Sequence, residues 1–505
     1  PVRLFDLSGQ LMRGDIRFLR RGKVVKLAGI SPTLTLLDYL RLSERATGTK
    51  EGCAEGDCGA CTVVLRRLRG ERLVYEPVNA CILFAGQADG CEIITVEDLA
   101  RDGTLHPVQQ AMVDLHGSQC GFCTPGFVMA LFALYHRADA RPVDRQRVND
   151  WIAGNLCRCT GYRPIVDAAL SSCAAAANDW FSTEEPDARR MLSELRDSED
   201  MFVGSRDRFF AAPASIMALA KLYFANPGAT LIAGSTDVGL WVTKQLRDLP
   251  KVIWLGRVKG LEEIEDRRDA VSFGAMVTLT EAMPYLAAID RDLGELTRRF
   301  AGTQVRMVAT VGGNIANGSP IGDLPPALIA LGATLGLQRG DRPRTLPLEN
   351  YFVDYGKQDR MAGEFVRVVR IPKFGEGEHF RCYKISKRFD SDISAVMGAF
   401  KLRLDGTRIA GARIAFGGMA AIPKRARTAE KALIETYLDQ PKTLEEAVEA
   451  LAQDFSPIDD LRASATYRLD AARALLRRAL SEIGGASTRK TRLVGFREAA
   501  DVASA

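Results

Sequence analysis

Histidine is nearly absent: the 505-residue chain has four, none in an H-E-x-x-H arrangement, which removes the common helix-borne zinc hydrolase. No apolar run approaches the roughly 20 residues that a membrane-spanning helix needs. No Walker or G-x-G-x-x-G pattern occurs, so a Rossmann nucleotide site is not indicated. Excess charge of one sign is also missing, because 68 Lys and Arg face 63 Asp and Glu for a net charge of +5. Without a dense basic stripe and interleaved aromatics, no nucleic-acid partner is expected. Arg20-Arg21 is the single hint of an export signal, but the following Gly22-Lys23-Val24-Val25-Lys26 carries charge where a signal needs an apolar core. A cytoplasmic protein that does not enter membranes is the expectation. The length exceeds what one hydrophobic core supports, and three or four domains are expected.

Cysteine, by contrast, is plentiful and clustered. Cys53, Cys58 and Cys61 follow a C-x4-C-x2-C pattern, and Cys81 comes after nineteen intervening residues. That is the plant-type ferredoxin spacing for one [2Fe-2S] cluster. A second set pairs Cys120-x2-Cys123 with Cys157-x-Cys159. Gly52, Gly56 and Gly59 lie within the first loop, where amides must turn toward anionic sulfurs and some residues need positive φ. Short cysteine spacings also hold zinc, but zinc knuckles favour two well-separated C-x2-4-C pairs, which the x4-x2 run is not. Disulfides fit poorly with eight clustered cysteines and no secretion signal. The remaining three, Cys91, Cys173 and Cys382, receive no role.

The stretches 49–61, 117–126 and 154–162 resemble the iron-sulfur and FAD-carrying subunits of bacterial xanthine dehydrogenases, in the molybdenum hydroxylase family. The similarity runs from about Asp15 to about Gly485. The chain is therefore expected to be multidomain α+β. Residues 1–98 would form a β-grasp ferredoxin domain, and 99–178 a four-helix [2Fe-2S] domain. Residues 179–205, charged and irregular, read as a linker. A vanillyl-alcohol-oxidase-type FAD domain would occupy 206–379 and the C-terminal α+β flavoprotein domain 380–486, with 487–505 a tail.

The local pattern agrees with this division. Alternation over 15–26 with a turn at 20–22 reads as a hairpin, and 35–42 as a helix. Helices are expected at 107–116, 125–137, 143–153 and 164–177. Pro125 and Pro164 sit where helices begin, so both cysteine pairs of the second set lie at helix starts, where free amides and the dipole favour thiolates. An amphipathic helix over 213–224 follows. The two small-residue stretches 230–239 and 310–323 read as loops whose amides approach a pyrophosphate without bulky side chains between. A hairpin around Asp405-Gly406 and helices at 425–437, 444–453 and 463–483 complete the chain.

By resemblance, the eight clustered cysteines ligate two [2Fe-2S] clusters. FAD would lie on Leu231, Ile232, Ala233, Gly234, Ser235, Thr236, Asp237 and Val238, with Phe300, Thr310, Gly313, Asn314, Asp323, Val366 and Lys384. NAD, the expected acceptor, would meet Tyr355, Ser386, Lys387 and Arg388. No stretch resembles a molybdenum-cofactor domain, so molybdopterin and the hydroxylation are expected on a large partner subunit, in a heterotetramer of two small and two large chains. The implied activity is electron transfer from that partner through the clusters and FAD to NAD, during oxidation of hypoxanthine and xanthine to urate. An aldehyde, carbon monoxide or other N-heterocycle hydroxylase, or a redox carrier without turnover of its own, are the alternatives.

Overall fold

The computed structural model describes residues 12–137 and 143–488. The expectation of a tail over 487–505 falls almost entirely outside them. The chain divides into two compact units. One comprises 1–260 with 301–310, the other 261–300 with 311–505.

The first unit opens on a five-stranded sheet in the order Lys23–Leu27, Ile16–Arg20, Glu92–Ile94, Thr62–Arg69, Arg72–Asn79. Arg21 and Gly22 both adopt positive φ, which a two-residue hairpin turn with the right-handed twist requires. Leu36–Asp38, capped by the Thr35 hydroxyl and continued by a π turn over Tyr39–Ser43, packs Leu36, Leu37 and Leu40 onto Ile16, Phe18 and Val63. A helix held in the curve of a mixed sheet is a β-grasp. Its core continues into Met201, Val203, Phe210 and Val252 of a second, four-stranded sheet ordered Met201–Gly204, Phe209–Ala212, Lys251–Trp254, Thr230–Ile232.

Four helices follow the first sheet: Pro107–Asp114, Thr124–Tyr135, Arg145–Ile152 and Arg163–Ser172. Three carry proline in the first turn, and Asp144 caps the fourth through the Arg147 amide at 2.7 Å. Thr124–Tyr135 is buried from Gly126 to Tyr135 because nearly every residue there is apolar, as suits the central helix of a bundle.

Residues 179–195 are not the irregular linker expected. They form helices Trp180–Thr183 and Glu185–Leu195. Ala188, Leu192 and Leu195 recur at helical spacing on one buried face, and Leu192 and Leu195 pack against Leu19 and Leu68. The acidic and basic residues that suggested a linker occupy the opposite, solvated face. Asp179 starts this segment fully buried. Its Oδ2 accepts from His106 Nε2 at 2.6 Å and His136 Nε2 at 3.0 Å, while Oδ1 accepts from the Ser182 amide and hydroxyl at 2.8 Å. His106 Nδ1 accepts from the Val108 amide at 3.2 Å, so its proton must sit on Nε2, facing the carboxylate.

In the second unit an antiparallel sheet runs Ile264–Asp266, Ala270–Gly274, Glu364–Pro372, Thr334–Arg339, Arg342–Pro347. Another holds Glu378–Ile385, Val396–Asp405, Arg408–Gly417 and Lys424–Arg425, covered by helices Arg427–Leu433, Pro441–Asp454 and Ala465–Ile483. The fully buried Arg468 guanidinium binds the carbonyls of Ala395 and Gly418, both at 2.7 Å, and Asp460 at 2.6 Å. Among the described residues no helix is long and apolar enough to cross a membrane.

Burial opposes charge on Asp179, but hydrogen bonds from both histidines hold its carboxyl well below the usual range; burial likewise holds His136 below its ordinary value. Both shifts make the fold weaker in acid. The unfolded chain takes protons on His below about pH 6.5 and on Asp below about pH 4 that the fold refuses. Asp179→Asn is expected to destabilise by about 3 kcal/mol at pH 7. It should also flatten the loss of stability between about pH 5 and 3. Denaturant midpoints for both proteins across that range test this, and parallel profiles would contradict it.

Candidate active site and electron path

The first cysteine set lies on the loop before strand Thr62–Arg69, with Cys81 just past strand Arg72–Asn79. Cys61 and Cys81 are 1% and 2% exposed, whereas Cys53 and Cys58 are half-buried. The thiols meet in pairs, Cys53 with Cys58 and Cys81, and Cys81 with Cys61. Those contacts, with amides of Glu55 and Cys58 at 3.4 Å from Cys53 Sγ, hold the Cys53 thiol far below its ordinary value and raise Cys58 and Cys81. Gly56 and Gly59 have φ of 79° and 68°. Gly52 does not need positive φ; it is glycine because a Cβ there would stand 2.8 Å from Cys58 Sγ.

In the second set Cys123 precedes helix Thr124–Tyr135, and Cys157 and Cys159 precede Arg163–Ser172. Cys120 pairs with Cys159 and Cys123 with Cys157. Burial and the Cys157 contact push the Cys123 thiol up to about 12. The Cys157 amide donates to Tyr162 Oη at 3.0 Å, and Cys157 Sγ lies 3.2 Å from Thr160 Oγ1. Here Cys120 and Cys159 are exposed.

Four sulfurs around one zinc ion lie about 3.8 Å apart, given Zn–S bonds of about 2.3 Å. Among the described residues, only His106, His136 and Asp179 bring three ligand atoms mutually within 4.8 Å; neither cysteine set does.

The expected flavin residues fall in both units. In the first, Leu231 and Ile232 end strand Thr230–Ile232, and Val238 begins helix Val238–Thr243. Between them Ser235 has φ of 53°, and a Cβ on Gly234 would stand 1.9 Å from the Val308 carbonyl. This bend is fastened beside the first cysteine set. The Ser235 hydroxyl is directed between the Ile82 carbonyl at 2.8 Å and Gln87 Oε1 at 2.7 Å, while Gln87 Nε2 donates to the Ala233 carbonyl at 2.9 Å. Thr243 donates to the Ala54 carbonyl inside the cysteine loop at 2.7 Å. Asp237 Oδ2 accepts from Trp241 Nε1 at 3.0 Å, Thr236 is half-buried beside it, and Thr310 is 2% exposed.

In the second unit, 311–316 is a helix, Val311–Ala316, rather than part of an open loop. Its amides Val311 and Gly312 bond Val277 and Ala275, which winds the small residues into a turn. It carries Gly313 and Asn314, whose buried Oδ1 lacks a hydrogen-bond partner among the described residues, as a ligand-facing acceptor would. Asp323 precedes helix Leu324–Leu331, is 4% exposed, and pairs with the equally buried Lys384 ammonium and the Ser394 hydroxyl. Val366 is buried in Glu364–Pro372, and Phe300 is half-buried. The stretch after Lys384 is clamped by Arg299, which donates to the Phe389 carbonyl at 2.9 Å and covers its ring at 4.3 Å. Ser386 donates to the Arg388 carbonyl at 2.7 Å, Lys387 to Leu461 at 2.8 Å, and Arg388 to Ser391 at 2.9 Å. Tyr355 is 73% exposed at a hairpin tip. Sequence reasoning missed Gln87, Arg299 and Ser394, each a lone polar residue without a motif.

The domains match those of known proteins. Residues 205–374 match the FAD binding domain in molybdopterin dehydrogenase, 381–483 the CO dehydrogenase flavoprotein C-terminal domain, and 95–170 a [2Fe-2S] binding domain. This chain belongs to the molybdenum hydroxylase family. A xanthine dehydrogenase from Emericella nidulans is 34% identical over 508 residues, covering 87% of this chain and 36% of the relative. One from Drosophila pseudoobscura pseudoobscura is 33% identical over 86% of this chain and 36% of its own. The chain thus spans about a third of the length of the relatives it matches. Among solved structures, reconstituted CO dehydrogenase from Oligotropha carboxidovorans matches at 27% identity and TM-score 0.52, over 56% of this chain and 99% of its own. Quinoline 2-oxidoreductase from Pseudomonas putida 86 matches at 26% and 0.50, over 54% and 95%.

Two substitutions probe these sites, each set against a control elsewhere in the chain. A Cβ on Gly126 would stand 2.2 Å from the Gly59 carbonyl, a backbone atom that cannot yield. Gly126→Ala should cost about 2–4 kcal/mol and deplete bound iron. Gly70→Ala, at an open hairpin tip with φ of 60°, should cost only about 1 kcal/mol. Asp323→Ala strands the buried Lys384 and should cost about 3–5 kcal/mol with loss of flavin. The exposed Asp341→Ala should stay within about 0.5 kcal/mol. Equal flavin content and stability in those two variants would contradict the placement.

Proposed function

We propose that this chain is the electron-transfer part of a xanthine dehydrogenase. It would receive electrons from a molybdopterin site on a large partner subunit and pass them to NAD as hypoxanthine and xanthine are oxidised to urate. The observation that carries this reading is the fastening of the 233–235 bend to Ile82 and Gln87, which ties a flavin-domain segment to the neighbours of Cys81.

In this reading Cys53, Cys58, Cys61 and Cys81 ligate one [2Fe-2S] cluster and Cys120, Cys123, Cys157 and Cys159 another. FAD rests on 231–238, Phe300, Thr310, Gly313, Asn314, Asp323, Val366 and Lys384. When bound, the clusters supply one-electron and the flavin two-electron chemistry. The protein's own part is placement. Glycine bends let main chain approach the cofactors, inward amides offset sulfur charge, and the Asp323–Ser394 pairing holds the Lys384 ammonium in place. Electrons enter at the second set, whose Cys120 and Cys159 are exposed beside Phe122 and Leu156, 49% and 41% exposed. Such uncovered apolar side chains beside a redox site suit a partner subunit. Nicotinamide would approach Tyr355 and 386–388. The heterotetramer and a reducing, cytoplasmic compartment, which keeps cluster thiols free, belong to the same proposal.

Carbon monoxide dehydrogenase is the second reading. Its matched chain is almost fully covered yet accounts for only 56% of this one, whereas the xanthine dehydrogenase alignment crosses 87%. That favours the xanthine enzyme. The purified chain should pass electrons from NADH to a dye and leave xanthine untouched. Adding the molybdenum-bearing partner should restore xanthine-to-NAD turnover, and Cys123→Ser should abolish that turnover while sparing dye reduction. Xanthine oxidation by the single chain, or no turnover with any partner, would overturn the reading.

A further inference from the structure

The two cysteine sets, far apart in sequence, are spliced by one main-chain hydrogen bond. The Leu156 amide donates to the Cys58 carbonyl at 3.0 Å. Cys58 belongs to one set, and Leu156 directly precedes Cys157 of the other. From the Cys58 carbonyl the path crosses a single hydrogen bond and one residue of backbone to reach the opposite set. Around it lies a buried polar knot. Asn155 Nδ2 donates to the Gly59 carbonyl at 3.1 Å and to Thr62 Oγ1 at 3.4 Å. Gln304 Nε2 donates to Asn155 Oδ1 at 2.7 Å and to Thr62 Oγ1 at 3.2 Å, and the Thr62 hydroxyl donates to the Gly59 carbonyl at 2.6 Å. Asn155, Thr62 and Gln304 are 2%, 1% and 1% exposed.

Three glycines let the strands of this knot touch. A Cβ on Gly59 would stand 2.3 Å from the Gly154 carbonyl, one on Gly126 2.2 Å from the Gly59 carbonyl, and one on Gly154 2.3 Å from Gln304 Oε1. Polar groups this deep cost folding energy unless bonded. The Asn155 bonds fix one cysteine loop against the other, the Thr62 bond to Gly59 closes the first loop on itself, and Gln304 braces Asn155 and Thr62 through Nε2, its Oε1 having no partner among the described residues. The Leu65 and Val63 core would hold the sheet without them. What the knot adds is a set separation that cannot drift.

We propose that Asn155, Thr62 and Gln304 are positioning residues that hold the Cys58 carbonyl to the Leu156 amide, making this hydrogen bond the bonded route for electrons between the two sets. This rests on the two-cluster reading above. In the transfer one electron leaves the reduced centre on one set and reduces the oxidised centre on the other; no bond forms or breaks and no proton moves. Tunnelling falls steeply with distance and is helped by a continuous bonded path, so loosening the knot weakens coupling without touching a ligand.

The test uses the full chain and two readouts independent of turnover: hydrogen exchange of the Leu156 amide, and the magnetic interaction between the two reduced centres in EPR spectra. Asn155→Leu and Gln304→Leu should speed that exchange about tenfold, as for a local opening made easier by about 1.4 kcal/mol. They should also narrow the spin–spin splitting, with iron content kept near four atoms per chain. Thr62→Val, close in shape, should do the same in a milder way, and Thr62→Ser should restore both readouts. If the leucine variants do not fold, the Thr62 pair decides alone. Unchanged exchange and splitting with both centres present would overturn the inference alone. Wild-type chain that binds only one centre, or none, would overturn the two-cluster reading and the inference with it.

Discussion

In the proposed reading two groups of four sulfurs must be drawn close enough to share a metal centre, yet as thiolates they repel one another and sit poorly in an apolar interior. The rest of the first unit follows from that constraint. Main chain, not side chains, has to come within bonding distance, so Gly56 and Gly59 take conformations that residues with a Cβ avoid. In the second set the loop amides of Phe122, Cys159 and Thr160, just ahead of the two helix starts, face the sulfurs. The β-grasp sheet and the central helix Thr124–Tyr135 are the rigid bodies on which the two loops are mounted.

The same unit shows a gradient of exposure with a functional sense. Cys120 and Cys159 are exposed, Cys61 and Cys81 are buried, and the bend at 233–235 is fastened just beyond Cys81. A relay needs one accessible end for a donor and a protected interior where stray oxidants do not intercept electrons. In the second unit the buried Asp323–Lys384 pair is held by Ser394, the costly kind of ion pair that persists only when every partner is in place.

That the cysteines gather into two sets was legible in their spacing, C-x4-C-x2-C and the C-x2-C with C-x-C pair, and Pro125 and Pro164 mark helix starts by their missing amide. The hairpins at 20–22 and 405–406 were readable from turn chemistry. What escaped lacked periodicity or a motif. The helix Glu185–Leu195 was hidden by its charged outer face, although Ala188, Leu192 and Leu195 carried the helical spacing. Val311–Ala316 read as loop because glycines weaken the helix signal, a weakness that bonds from the Val311 and Gly312 amides to the Val277 and Ala275 carbonyls override. Gln304, Gln87 and Ser394 matter through partners distant in sequence, and nothing local to them says so.

In the proposed reading one chain carries two one-electron centres and one two-electron centre. Anaerobic reductive titration of the purified chain, followed by visible absorption and EPR, measures this most directly. That reading predicts uptake of about four electrons per chain, two on flavin and one on each of two spectroscopically distinct centres. An endpoint near three electrons with a single iron-sulfur signal, or near two with none, would contradict it.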